Sequence, residues 1–409
     1  MAQNTIAAET VPVISQTSVP GAQSSCAEAQ DGLFWPSLLM AAGLSSIAIG
    51  IIWDISWHET IGRDTFWTPA HMAIYLGGVL AGCVGGWLAV IHTFFAGQAR
   101  RDSSVRVWGA RAPLGAWVAI WGALAMVTSA PFDDWWHNAY GLDVRIISPP
   151  HAVLGLGMLG ISVGALLLVL TRQNRLQHSS AKGAGLFIYA GGVFVLLGSV
   201  FILEYIFPNA QHGRAFYVAC ALMYPARLVA LSCAGRVSWP ATRVAAVYMG
   251  IMCALDWILA LFPAQPKLAP IFNPVTHMVP LPFPLLLIFP AMAIDLLLRK
   301  ADGLNGKLPR VGLAFLLGGV FFVVLLAVQW FFSEFMISPH ANNWFFMGNR
   351  VWGYNVAAGD WQTQFWRMDP KKSDADVLTV SAIALTWAIA SAGSWVGLFF
   401  GRWMRKVRR

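Results

Sequence analysis

The chain has 409 residues, of which 57% are hydrophobic and 11% charged, with a formal net charge of +8. Soluble domains average about a quarter charged residues, so this composition excludes a water-surrounded globule. It points to a polytopic membrane protein whose basic balance belongs to Lys- and Arg-rich loops; no nucleic-acid partner is implied.

Residues 1–33 are polar and contain no Lys or Arg. Without a positive segment before the first apolar run they read as a loose tail, not as a cleaved signal peptide. A bilayer core takes about 20 apolar residues as a helix. Ten stretches qualify: 34–54, 70–95, 113–130, 150–171, 184–207, 215–234, 241–262, 277–298, 310–333 and 377–401. Backbone polar groups find no water in lipid, so each is expected to be helical. The expected fold is therefore an all-α transmembrane bundle of about ten spans.

The connecting loops sort by charge. Arg100, Arg101, Arg106 and Arg111 follow the second span; Arg172, Arg175 and Lys182 the fourth; Arg236 and Arg243 the sixth. Arg299, Lys300, Lys307 and Arg310 follow the eighth, and Arg402, Arg405, Lys406, Arg408 and Arg409 the tenth. The positive-inside rule puts these loops and both termini in the cytoplasm. The other helix ends carry acids (Asp54, Asp133, Glu204, Asp256, Glu334), each followed by a loop histidine (His71, His151, His212, His277, His340). This repetition suggests five helix hairpins. The units read as the tail, a four-helix core at 34–171, further hairpins at 172–334, a Trp-rich extracytoplasmic interfacial segment at 335–376, and a last helix with a basic tail at 377–409.

Two of the repeats carry the layout of a metal site. Asp54 precedes His58 by four residues, and Thr68-Pro69-Ala70-His71 follows. Asp133 precedes His137 by four, and Ser148-Pro149-Pro150-His151 follows. An i,i+4 spacing puts carboxylate and imidazole on one helix face. Thr or Ser before Pro is helix-start chemistry, which places the second histidine in the first turn of the next helix. One carboxylate with two imidazoles suits Cu, Zn or Fe(II). The alternative is that Asp and His at helix mouths simply pair with each other or cap backbone. Ionisable groups at membrane depth are costly and tend to be functional, and the duplication favours metal. Asp134 competes with Asp133 for the second set, and spacing favours Asp133. Asp64 and Asp143, six residues after His58 and His137, are candidate acceptors that orient the histidines, the alternative being solvated loop acids.

The run Asp54-Ile-Ser-Trp-His58-Glu-Thr-Ile-Gly-Arg63-Asp64-Thr65-Phe-Trp-Thr68-Pro69-Ala-His71 resembles the signature of the C subunit of copper membrane monooxygenases, the particulate methane, ammonia and hydrocarbon enzymes. That family carries Asp-x3-His-x12-His with Arg-Asp-Thr between. Its second set, Asn-x3-His-x13-His, is similar to Asp133, His137, Ser148, Pro149 and His151, with Asp133 standing where the family has Asn. The resemblance covers about residues 34–171. It implies copper at Asp54, His58 and His71, the catalytic set, with Arg63 and Asp64 in its outer shell. It implies a second copper at Asp133, His137 and His151. It also implies other membrane subunits, and an electron donor that is a quinol or a protein.

The remaining polar residues read more plainly. His212 with Glu204, His277 with Asp256 and His340 with Glu334 lack a second histidine and read as helix-mouth contacts. Arg227, inside an apolar stretch, is expected to pair with Asp256 or Glu204. His92 and His178 receive no role. The five cysteines show no CxxC spacing, and no P-loop, Gly-rich nucleotide motif or HExxH is present.

The expectation is thus a copper-dependent monooxygenase, or a metal-binding subunit of one, activating O2 to hydroxylate a small or apolar substrate. Zinc and iron are the second-choice metals. The location implied is a bacterial-type inner membrane, with the metal sites on the extracytoplasmic side. The alternatives are a non-catalytic metal-binding accessory subunit of a membrane oxidoreductase complex, or a metal or solute transporter. A transporter would want matching ligands on the cytoplasmic half, which the sequence does not supply.

Overall fold

The computed structural model describes residues 32–62, 66–141, 148–176, 180–267, 270–303, 309–365 and 376–409. Among these the chain forms eleven α-helices: α1 (Phe34–Thr60), α2 (Pro69–Val90), α3 (Gln98–Asp102), α4 (Leu114–Tyr140), α5 (Pro149–Leu176), α6 (Ala181–Val200), α7 (Arg214–Ala234), α8 (Pro240–Leu259), α9 (Ile288–Gly303), α10 (Arg310–Met336) and α11 (Val380–Met404). All but α3 and α9 are long and apolar enough to cross a membrane, α2 being prolonged by a π-helical turn at Ile91–Phe95. The architecture is an all-α polytopic bundle. Its only strands among the described residues, β1 (Val105–Val107) and β2 (Ala110–Ala112), form a small antiparallel hairpin beyond α3.

The helices pack by close backbone approach, because lipid offers no hydrophobic drive to push apolar faces together. Between α1 and α2, a Cβ on Gly77 would lie 2.5 Å from the Gly43 carbonyl oxygen. Between α4 and α5, a Cβ on Gly122 would lie 2.6 Å from the Ile161 nitrogen and 2.7 Å from the Gly157 oxygen. The α1–α2 and α4–α5 pairs are hairpins, and α2 also packs on α4. The hairpin pattern weakens further along. α7 packs mainly on α11 instead of on α6, and α6 packs on α8.

One expected span is absent as such. Residues 277–298 begin as an extended strap and become helical only at Ile288. Pro280, Pro282 and Pro284 explain this, since each lacks an N–H and clashes with a preceding helical turn. The helix that remains, α9, has 16 residues, about 24 Å of rise, and is too short to cross the hydrocarbon core.

The basic ends of the helices gather. Arg175 donates to the Arg408 carbonyl oxygen (3.0 Å) and to Ser103, and Asn174 donates to the carbonyl oxygens of Met404 and Val407. The other end of α5, about 42 Å away along its 28 residues, carries His151. His151 and the Arg175 cluster therefore lie at opposite ends of α5.

Candidate metal centres

The first centre is built from two helix ends. α1 continues past Trp53 to Thr60, so Asp54 and His58 lie on one face. Its end is closed by Gly62 at φ +100°, whose N–H, with that of Ile61, donates to the Trp57 carbonyl oxygen. Thr68 caps α2, its hydroxyl oxygen accepting from the His71 N–H at 3.3 Å, with Pro69 as first helical residue. The cap puts His71 at the third helical position, facing back towards α1. The Asp54 carboxylate then meets His71 Nε2 at 3.2 Å and His58 Nε2 at 3.8 Å.

The second centre repeats this construction. α4 runs through Pro131 to Tyr140, so Asp133 and His137 share a helix, which ends on Gly141 at φ +84°. Ser148 accepts from the His151 N–H at 3.4 Å. Asp133 Oδ1 lies 3.5 Å from His137 Nε2 and 3.4 Å from His151 Nε2. Asp134, the competitor, is taken up by Asn138.

In each triad three potential donor atoms lie within 4.8 Å of one another. Donors about 2.0–2.2 Å from a common ion in a tetrahedral arrangement stand about 3.3–3.6 Å apart, and the carboxylate–imidazole separations bracket this spacing. Asp54 Oδ1 and Asp133 Oδ1 are buried and face imidazole nitrogens, His71 at 3.2 Å from the first and His151 and His137 at 3.4 and 3.5 Å from the second. A buried carboxylate is costly, and a cation in the triad would offset its charge. His137 Nδ1 lies 3.1 Å from the Gly141 carbonyl oxygen. A carbonyl only accepts, so Nδ1 carries the proton and Nε2 keeps its lone pair for a metal. By charge, donor type and spacing, the residues fit a transition-metal ion.

Gly62 and Gly141 stand four residues after His58 and His137, a second shared spacing that the metal-motif reading passes over. Both end their helices in a conformation that suits glycine.

The two centres open onto one cavity of about 1160 Å³, lined by all six triad residues. His151 of the second triad lies within electrostatic reach of Asp54 of the first. Five carboxylates (Asp54, Glu59, Asp133, Asp134, Glu204) and four histidines line it, with no Lys or Arg among the described lining residues. The rest of the wall is mostly apolar and includes the proline strap (Val279 to Pro282) and Val351, Tyr354 and Asn355 of the Trp-rich segment. Glu59, the strap and the Tyr354 turn are cavity features that the motif reading missed.

Other expectations fare differently. Arg63, Asp64 and Asp143 lie outside the described residues, as do His178 and Cys26. His212 stacks between Trp330 and Phe365, with Nε2 3.2 Å from the Trp330 carbonyl oxygen and 3.9 Å from Glu334, so its acid is not Glu204. His277 meets the neighbouring Thr276 hydroxyl, while Asp256 accepts from the Leu281 N–H. Arg227 has no acidic partner among the described residues; it donates to the Met223 carbonyl oxygen and lies over the Phe194 ring. His92 is buried against the Leu88 carbonyl oxygen.

No protein-family model, curated protein or solved structure matches the chain.

Proposed function

We propose that the chain is the metal-binding component of a copper-dependent membrane monooxygenase, hydroxylating a small or apolar substrate with O2. The observation that carries this reading is the convergence of two Asp-His-His triads on a single, largely apolar cavity. A triad that merely tied helix ends together would need no shared cavity. Bound copper would supply one-electron redox chemistry and an open coordination position.

The residues of the chain divide the remaining work. Asp54 and Asp133 supply the negative charge that each centre holds against a cation. His58, His71, His137 and His151 supply neutral nitrogen donors, His137 being oriented by the Gly141 carbonyl oxygen. The surplus of carboxylates raises the local concentration of cations. The apolar part of the wall takes a substrate that partitions into lipid. A quinol or a protein would deliver electrons, and further membrane subunits would complete the assembly. The arginine-rich loops favour placing the opposite end, with both centres, on the extracytoplasmic side of a bacterial-type inner membrane. Zinc or iron in the same triads is the competing occupancy.

The test is copper analysis with EPR on purified wild type, His58→Ala and His137→Ala. Two equivalents are expected for wild type and about one for each variant. Equal copper in all three sinks the two-centre assignment. Stoichiometric copper without turnover of reductant and O2, in the complete assembly, leaves the chain as an accessory subunit.

A further inference from the structure

The proline strap is extended chain, and side chains of three helices hold it at residues 279, 281 and 286. The Val279 carbonyl oxygen accepts from Ser56 Oγ at 2.7 Å, and the Val279 N–H donates to Thr60 Oγ1 at 2.8 Å. The Leu281 N–H donates to Asp256 Oδ1 at 3.1 Å, and the Leu286 N–H to Gln329 Oε1 at 3.1 Å. Gln329 in turn donates to Gln211 Oε1 at 2.7 Å, and Gln211 to the Ile206 carbonyl oxygen. Non-helical backbone at membrane depth is tolerated where it is buried in protein or lines a cavity. This strap does both. Val279 and Leu281 are buried at 3% and 4% exposure, and Val279, Pro280, Leu281 and Pro282 all line the cavity that the two triads share.

Its anchor is the same turn of α1 that carries the first centre. Ser56 and Thr60 are four residues apart on one side of the helix, interleaved with Asp54 and His58 on another. Thr60 Oγ1 also donates to the Ser56 carbonyl oxygen at 2.6 Å, so the two anchors are locked to each other. A wall built from helix could shift along its neighbours. A proline-stiffened wall pinned at residues 279, 281 and 286 has little freedom to move away from the triads. Alternating prolines also keep the segment extended, so adjacent side chains Val279 and Leu281 keep fixed positions on the cavity wall.

We infer that the strap from Val279 to Pro282 is the selectivity wall of the cavity, setting how long an apolar molecule can be while one end reaches the first centre. The class of ligand is a small, uncharged, linear or compact apolar chain. This inference rests on the metal reading above. Leu281 and Val279 are positioning residues; they shape the space and hold no metal.

The probe is a series of 1-alkylimidazoles of increasing chain length, added to the copper-loaded protein. Imidazole nitrogen is a general copper ligand, and its arrival is read as a change in the Cu(II) EPR spectrum. Wild type is expected to respond to short alkyl groups and to stop responding beyond a sharp length limit. Leu281→Ala is expected to extend that limit by about two carbons, because truncation leaves space the pinned backbone does not refill. Val279→Ala is the second variant and extends it by less. Copper content, measured first, stays at the wild-type level in both. An unchanged limit in both variants at full copper overturns the inference, and so does a wild type that responds to every length. Wild type that binds no copper overturns the metal reading itself, and this inference with it.

Discussion

At the scale of single residues, the centres owe their shape to pairs that are cheap to encode. A cap at Thr68 or Ser148 and a glycine at 62 or 141 decide where the helices start and stop, and the ligands follow. His212 shows the same economy away from the cavity. Burial between Trp330 and Phe365 holds its pKa below the ordinary histidine value, ahead of the opposing pull of the Trp330 carbonyl oxygen and Glu334. The unfolded chain therefore takes up this proton first as pH falls. The contribution of the stack is complete above about pH 6.5, the unfolded value, and is lost as pH drops towards the folded one. Melting followed by tryptophan fluorescence should show lower stability at pH 5.5 than at 7.5, and His212→Gln should flatten that difference. Identical pH dependence in the two proteins would refute a role for this histidine.

At the scale of elements, the α1–α2 pair brings the first centre together through small residues. Gly77 lies on α2, six residues beyond His71, and any larger side chain there meets the Gly43 oxygen and Ile47 of α1. Gly77→Leu should pry the pair apart at a cost of about 1–3 kcal/mol. The expected readout is loss of the first copper, with the second, on α4 and α5, retained. Loss of both coppers, or of neither, would contradict the modular construction.

The helix pairs were legible in the sequence because both the apolar runs and the Asp-x3-His and Pro-x-His spacings are local. The eighth span was misread because hydropathy counts proline-rich apolar chain as though it could be helix. The alternation at 280, 282 and 284 was visible, and read as backbone chemistry it argues against a helix. Two pairings were also out of reach, His212 with Glu334 and Asp256 with the strap, as was the lack of an acid beside Arg227 among the described residues. Each depends on which helices become neighbours, and no spacing encodes that.

At the scale of the molecule, the meeting of both triads on one cavity is the feature no local pattern could announce. The motifs are about 80 residues apart in the chain, and only the packing of α2 on α4 and of α4 on α5 turns them towards each other. In a cavity of about 1160 Å³, Cu(II) ions bound at both triads would be close enough for their spins to interact. Pulsed dipolar EPR on the fully loaded protein should detect that interaction. It should vanish in His58→Ala and in His137→Ala alike. Two independent, uncoupled spectra in the wild type would mean that the centres do not share a chamber.

The strap also has a consequence for how the chain is assembled. Its amide and carbonyl groups at 279, 281 and 286 are held by side chains on α1, α8 and α10. Left alone in lipid, the segment would expose backbone that nothing can hydrate. It therefore gains a stable place only once those three helices have come together around it. Although its residues are synthesised before α10, they settle after α10 arrives. The chamber wall can close only after α10 has been made.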